Sequence, residues 1–84
     1  MFELNVEKQL LTVALPEGKT GLELVKQAKR EIREIAPHLR GMSLSLTGDL
    51  TRAIALILGS ELSGICKSIA LYDPEAAGYI VCIG

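Results

Sequence analysis

Residues 42–62 read MSLSLTGDLTRAIALILGSEL, and the change of rhythm inside them decides the fold. From Met42 to Thr47 apolar and polar residues alternate, with Met42, Leu44 and Leu46 facing one way and Ser43, Ser45 and Thr47 the other, the period-two signature of a strand. Thr47-Gly48-Asp49 breaks the alternation and offers a helix N-cap. Leu50 to Leu62 then reads as a helix that frays near Gly59 and stops by Gly64. This helix is apolar nearly all round. In a small domain it needs cover on two sides; a sheet supplies one, and a partner subunit would supply the other, so a homodimer or higher homo-oligomer is expected.

On the N-terminal side, Phe2, Leu4 and Val6 alternate with Glu3, Asn5 and Glu7, a half-buried strand suited to a sheet edge. The apolar run Leu10 to Leu15, closed by Pro16-Glu17-Gly18, forms a hairpin with it. Thr20-Gly21-Leu22-Glu23 fits a capping box, and Leu24, Val25, Ala28, Ile32, Ile35 and Ala36 recur at helical spacing until Pro37 ends the helix. On the C-terminal side, Ser68 to Tyr72 is a strand, Asp73 to Gly78 a turn, and Tyr79 to Ile83 a last strand rich in β-formers. The expected fold is therefore α/β: a single small Rossmann-like domain spanning residues 1–84, in the order ββαβαββ, with a mixed five-stranded sheet and two helices. The strands separated by helices run parallel, and the hairpin strands add antiparallel.

Composition bounds the function. Eighty-four residues leave room for one domain and a small core. Nine Lys and Arg against ten Asp and Glu give no positive field to attract a long polyanion, so DNA is not an expected partner. One Phe, two Tyr and no Trp cannot furnish several base-stacking platforms. The longest apolar run, Ala53 to Leu58, is far short of a membrane span, and the N-terminus lacks a secretory signal pattern, so a cytoplasmic protein is expected. Cys66 and Cys82 lack metal-binding spacing and read as buried free thiols of a reducing compartment.

In an open parallel sheet, ligands sit at the carboxyl ends of the strands, which here carry Thr47-Gly48-Asp49 and Asp73-Pro74-Glu75. Gly48 would let a phosphate approach the backbone at the positive end of the second helix. Both segments also have ordinary structural readings, as a helix cap and a turn initiator. Tyr72 and Tyr79 flank the turn and are placed either to stack on an adenine or to pack in the sheet. Lys26, Lys29, Arg30 and Arg33 are interleaved with Glu23, Glu31 and Glu34 and read as a solvated helix face. His38 has no orienting partner, and Ser43 and Ser45 sit in no hydrolase pattern, so none is assigned a catalytic role.

The string from Gly41 to Ile83, GMSLSLTGDL, an apolar helix, then SIALYDPEAAGYIVCI, resembles the small CRISPR-associated Csx-three family. That family's hallmark is a strand ending in Ser-Gly-Arg, an apolar helix, a strand running into Tyr-Asp-Pro-Arg-Leu-Gly, and a further strand. Its members bind cyclic tetra-adenylate, the second messenger of type III CRISPR antiviral defence, and many cut it in a manganese-dependent way. By resemblance Thr47 stands for the motif serine, Gly48 for its glycine, Asp73 for the aspartate and Gly78 for the closing glycine. Asp49 and Glu75 stand where the motif has arginines, and the family's histidines near the end of the second helix or beyond the last strand have no counterpart.

The resemblance implies a cyclic-oligoadenylate-binding protein with two possible chemistries. In one, Thr47, Gly48 and backbone N–H groups hold the nucleotide, with Arg52 and Lys67 replacing the lost charge, and the protein is a sensor or sponge. In the other, Asp49, Asp73 and Glu75 converge on Mn²⁺ or Mg²⁺, Asp73 and Asp49 are catalytic, and the protein is a ring nuclease. A ligand-free homo-oligomeric interaction module is the reading from a different class.

Overall fold

The computed structural model describes residues 1–84. Its elements are β1 (Phe2–Asn5), β2 (Leu10–Val13), α1 (Gly21–Ile35), a 3-10 helix (Ala36–Leu39), β3 (Ser43–Gly48), α2 (Arg52–Leu62), β4 (Ser68–Asp73) and β5 (Gly78–Ile83). The order ββαβαββ and the mixed five-stranded sheet are those expected, with β1–β2 and β4–β5 antiparallel and β2–β3 and β3–β4 parallel.

The strands lie in the order β1-β2-β3-β4-β5, so each is beside its neighbour in sequence. Two right-handed crossovers that step the same way across a sheet put both helices on one face. Accordingly α1 and α2 lie side by side, joined by Arg33 Nη2 donating to Glu61 Oε1 at 2.8 Å. The core is the layer between them and the sheet: Leu11 and Val13 of β2, Leu44 and Leu46 of β3 and Ile69 of β4 against Ala28, Ile32, Ile54, Leu58 and Leu62. The other sheet face has no covering layer.

Strand register identifies that open face, because residues paired across strands point the same way. It carries Glu3 and Asn5, Leu10 and Thr12, Ser43, Ser45 and Thr47, Ser68, Ala70 and Tyr72, and Tyr79 and Val81. Ala70 is buried yet lies outside the core cluster, as a small residue of the open face covered only by its neighbours would.

Several local expectations are corrected. Thr20 makes no side-chain cap bond, because Gly21 takes φ +56° and the turn starts left-handed instead of closing a capping box. Pro37, by contrast, ends α1 as expected: the α-helix stops at Ile35 and the chain passes into the short 3-10 helix, where the missing N–H of Pro37 costs nothing. Val6 is exposed in the β1–β2 turn. Gly59 does not fray α2, which runs unbroken to Leu62; Ile83 Cδ1 lies 3.6 Å from where a Cβ would stand, an ordinary contact. Nor is α2 apolar all round, since its outward stripe of Arg52, Ala53, Leu56 and Ser60 holds one large apolar residue, Leu56. Cys66 is buried, whereas Cys82 is exposed on β5.

Candidate functional site

The β3–β4 register ends at Leu46↔Leu71, so Gly48 and Asp73, each two residues further on, stand at the same level of adjacent strands. The two loops at the strand ends are therefore neighbours, as expected. They do not form a crevice. In open α/β sheets the ligand crevice opens where the strand order reverses and helices leave to opposite faces; here the order never reverses.

The loop after β3 is occupied by its own backbone. Asp49 N–H donates to Val13 O at 2.9 Å, Leu50 N–H to Gly48 O at 2.9 Å and Thr51 N–H to Asp49 O at 3.2 Å. The N-cap of α2 is Thr51, two residues beyond the expected position, whose Oγ1 accepts from Ile54 N at 3.2 Å. These bonds leave the N–H groups of Arg52 and Ala53 as the outward donors of the first turn. Gly48 has φ +96°, and a Cβ there would lie 2.3 Å from Val13 O, so its glycine serves close packing of β3 against β2. Gly78, opposite Asp73 at the start of β5, faces no such constraint.

The carboxylates do not converge. Asp49 Oδ2 accepts from Leu15 N at 3.2 Å, which turns it toward β2 and away from β4. Asp73 Oδ1 accepts from Glu75 N at 2.9 Å, the bond that shapes the turn before β5. No group of three or more His, Cys, Asp or Glu side chains is placed to hold a metal ion. Asp49, Asp73 and Glu75, expected as a joint Mn²⁺ or Mg²⁺ set, are thus not gathered into one metal-holding group in this arrangement. Lys67 cannot compensate charge at this end either, because it precedes β4 and donates its N–H to Met42 O at the opposite end of the sheet. His38 is an exposed residue of the 3-10 helix at that same far end.

What the fold does assemble is a row across the open face near the carboxyl ends of β2, β3 and β4. Thr12 pairs with Thr47, Thr47 stands one step past Leu46↔Leu71 and so beside Tyr72, and Tyr72 pairs with Tyr79. The two exposed tyrosine rings meet edge to face, with centroids 5.4 Å apart. Arg52 opens α2 three residues after Asp49, on the helix side of the sheet and not on the face of the row, exposed and without an ion-pair partner. Sequence reasoning found Thr47, Tyr72, Tyr79 and Arg52 but not Thr12, whose place in the row follows from strand register alone.

An open groove of about 360 Å³ lies elsewhere, between the helices, lined by Lys29, Arg33, Leu56, Ile57, Ser60 and Glu61. No expected site residue lines it. Its Arg33 is engaged by Glu61, and that hydrogen bond with its attendant charge holds the Glu61 carboxyl below its ordinary value and raises Arg33. Gln9 is a further unforeseen contributor: with φ +50° it accepts Ser45 N–H on its carbonyl and Ser43 N–H on its side chain, both at 2.9 Å, stitching the hairpin turn to β3.

No family model, curated protein or solved structure matches this chain. No helix is long and apolar enough to cross a membrane.

Proposed function

We propose that this protein is a cyclic-oligoadenylate-binding module of type III CRISPR defence, similar to the Csx-three family, which holds its ligand without cutting it. The observation that carries the reading is the Thr12-Thr47-Tyr72-Tyr79 row, with exposed aromatic rings beside hydroxyls at the carboxyl ends of the strands. Adenine rings stack on such surfaces, each stack contributing about 1–3 kcal/mol. Hydroxyls of the row reach ribose or phosphate oxygens, while Arg52 and its neighbouring N–H groups, on the helix side of the same strand ends, meet only a phosphate that reaches round the end of the sheet. With Asp49 and Asp73 turned to backbone donors and no histidine nearby, no acid–base pair stands ready for phosphodiester cleavage.

A thermal-shift assay with cyclic tri-, tetra- and hexa-adenylate, with and without Mn²⁺, tests this. Cyclic tetra-adenylate is expected to stabilise the protein by about 2.7 kcal/mol at a hundredfold excess over Kd, and chromatography is expected to recover it intact. Tyr72→Ala is expected to weaken binding about fivefold or more through the lost stack. Linear product in the tubes would replace the sponge with a nuclease. No shift with any ring would reject the reading.

A further inference from the structure

The polar face of α1 is divided by the sign of its charges. At about 100° per residue, Leu22, Lys26, Lys29 and Arg33 fall in one row, with Arg30 beside it, on the flank where Lys29 and Arg33 meet α2 across the groove. Glu23, Gln27, Glu31 and Glu34 fall on the other flank, where Glu31 Oε1 accepts from the N-terminal ammonium at 3.2 Å and Gln27 donates to Glu31 Oε2 at 2.7 Å. Within the basic group, Lys26 stands three and four residues from Lys29 and Arg30, and Arg33 four and three from the same two, so every close neighbour is a like charge that weakens the helix. Only Arg33 has an ion-pair partner, Glu61; Lys26, Lys29 and Arg30 are exposed and unpaired. Beside these cations two large apolar side chains of the helix layer stand in solvent, Leu22 (67%) in the row itself and Leu56 (76%) on the α2 wall of the groove. Both helices return from one parallel strand to the next and so run parallel, and the Arg33–Glu61 pair sets their register. Leu56 is then level with Ala28, and Leu22 lies six residues nearer the N-terminus, about 9 Å along the axis.

We propose that the groove between α1 and α2 docks an acidic amphipathic helix of another protein, its apolar side chains seated on Leu22 and Leu56 and its carboxylates against Lys26, Lys29 and Arg30. Charge complementarity selects this occupant: a partner carboxylate relieves the repulsion among the three unpaired cations, and a cationic or neutral segment does not. The apolar anchors are spaced as a helix spaces residues i and i+7, about 10 Å apart on one face, which is how helices sit in grooves. A nucleic acid suits the groove less. A phosphate backbone, charged at every step, would meet the Glu61 carboxylate, whereas a helix places its carboxylates only opposite the cations. Bases would find no ring to stack on, because the exposed Tyr72 and Tyr79 lie on the far side of the sheet. The inference stands on the helix layer and does not depend on a nucleotide ligand.

Fluorescence anisotropy with three labelled probes tests it: a synthetic helix-forming peptide of leucine and glutamate in heptad spacing, the same peptide with lysine for glutamate, and single-stranded oligouridylate RNA. The leucine–glutamate peptide is expected to bind saturably in the micromolar range, and the other two are expected not to bind. Lys29→Glu is expected to weaken that binding at least about tenfold, since an attraction is lost and a repulsion gained. Lys67→Glu makes the same charge change at the far end of the sheet and is expected to stay within about twofold of the wild type, because salt screens charges at that distance. Leu56→Ala is expected to weaken binding about threefold or more through lost apolar contact. Amide NMR shifts of the wild type supply a readout that needs no variant: those of α1 and α2 should move on titration with the peptide while those of β1 and β5 hold. No binding of the leucine–glutamate peptide, equal binding of its lysine counterpart, binding of the RNA in its place, equal losses in Lys29→Glu and Lys67→Glu, indifference to Leu56→Ala, or shifts centred on the strands would each overturn the proposal.

Discussion

Gly48 lies in the motif that the sequence marks as special, for a reason internal to the fold. The carbonyl of Val13 occupies the space its Cβ would need, and its φ of +96° belongs to glycine. Gly48→Ala is expected to cost about 3 kcal/mol or more, from left-handed strain together with backbone displacement. Gly18→Ala, at φ +77° with open space around it, is expected to cost about 1 kcal/mol from strain alone. Urea unfolding of the pair separates the two contributions, and equal costs would show that the Val13 contact relaxes freely. The cysteines divide in the same residue-level way. Burial pushes the Cys66 thiol above its ordinary value, while Cys82 stands in solvent. In dilute native protein a thiol reagent is expected to modify Cys82 and spare Cys66 until denaturant is added, because the thiolate is the reactive form. Sequence spacing excluded a metal site for these two residues but could not distinguish them, since exposure of Cys82 depends on β5 being an outer strand.

At the scale of elements, what fixes α1 against α2 is legible only in part. Lys29, Arg33, Glu31 and Glu34 read as a solvated face, and most of that face is solvated, but Arg33 crosses to Glu61 on α2. Burial alone would raise the Glu31 carboxyl; hydrogen bonds from Gln27 and the N-terminal ammonium, with the charges of that ammonium and of Arg30, outweigh it and hold the group below its ordinary value. Both Glu31 and Glu61 are thus lowered in the folded state. Their contribution to stability is fully present above the unfolded carboxylate value of about 4.3 and is lost as pH falls through the lower folded values. Unfolding midpoints are expected to be flat from these groups near neutrality and to fall below about pH 4.5, and Glu61→Gln should make that fall shallower. An unchanged acid limb in Glu61→Gln would remove the pair from the account. Cap positions were the least legible elements: Thr20 looked like a cap and is not one because Gly21 turns left-handed, whereas Thr51 caps α2 although Thr47-Gly48-Asp49 stood closer to the end of the strand.

At the scale of the whole molecule, element order and strand direction were readable because hydrophobic period switches cleanly between two and three-to-four along the chain. Which way the crossovers step was not, and on that rests the difference between a two-sided sheet with a crevice and a one-sided sheet with an open face. A signal was nevertheless present. β3 is central and parallel, yet Ser43, Ser45 and Thr47 alternate with its apolar residues, whereas a strand covered on both faces would be apolar throughout. The candidate site moves accordingly, from the loops at the strand ends to the row on the open face beside them.

The same collinear order bears on how the molecule is made. Each strand docks against the one synthesised just before it, so the sheet can grow from β1 toward β5 as the chain leaves the ribosome, without waiting for a distant segment. The edge strand β1, which carries Glu3, is made first and the uncharged β5 last. Until β5 arrives, the outer edge of β4 stands open, so the last strand to dock trades one open edge for another that carries no charge.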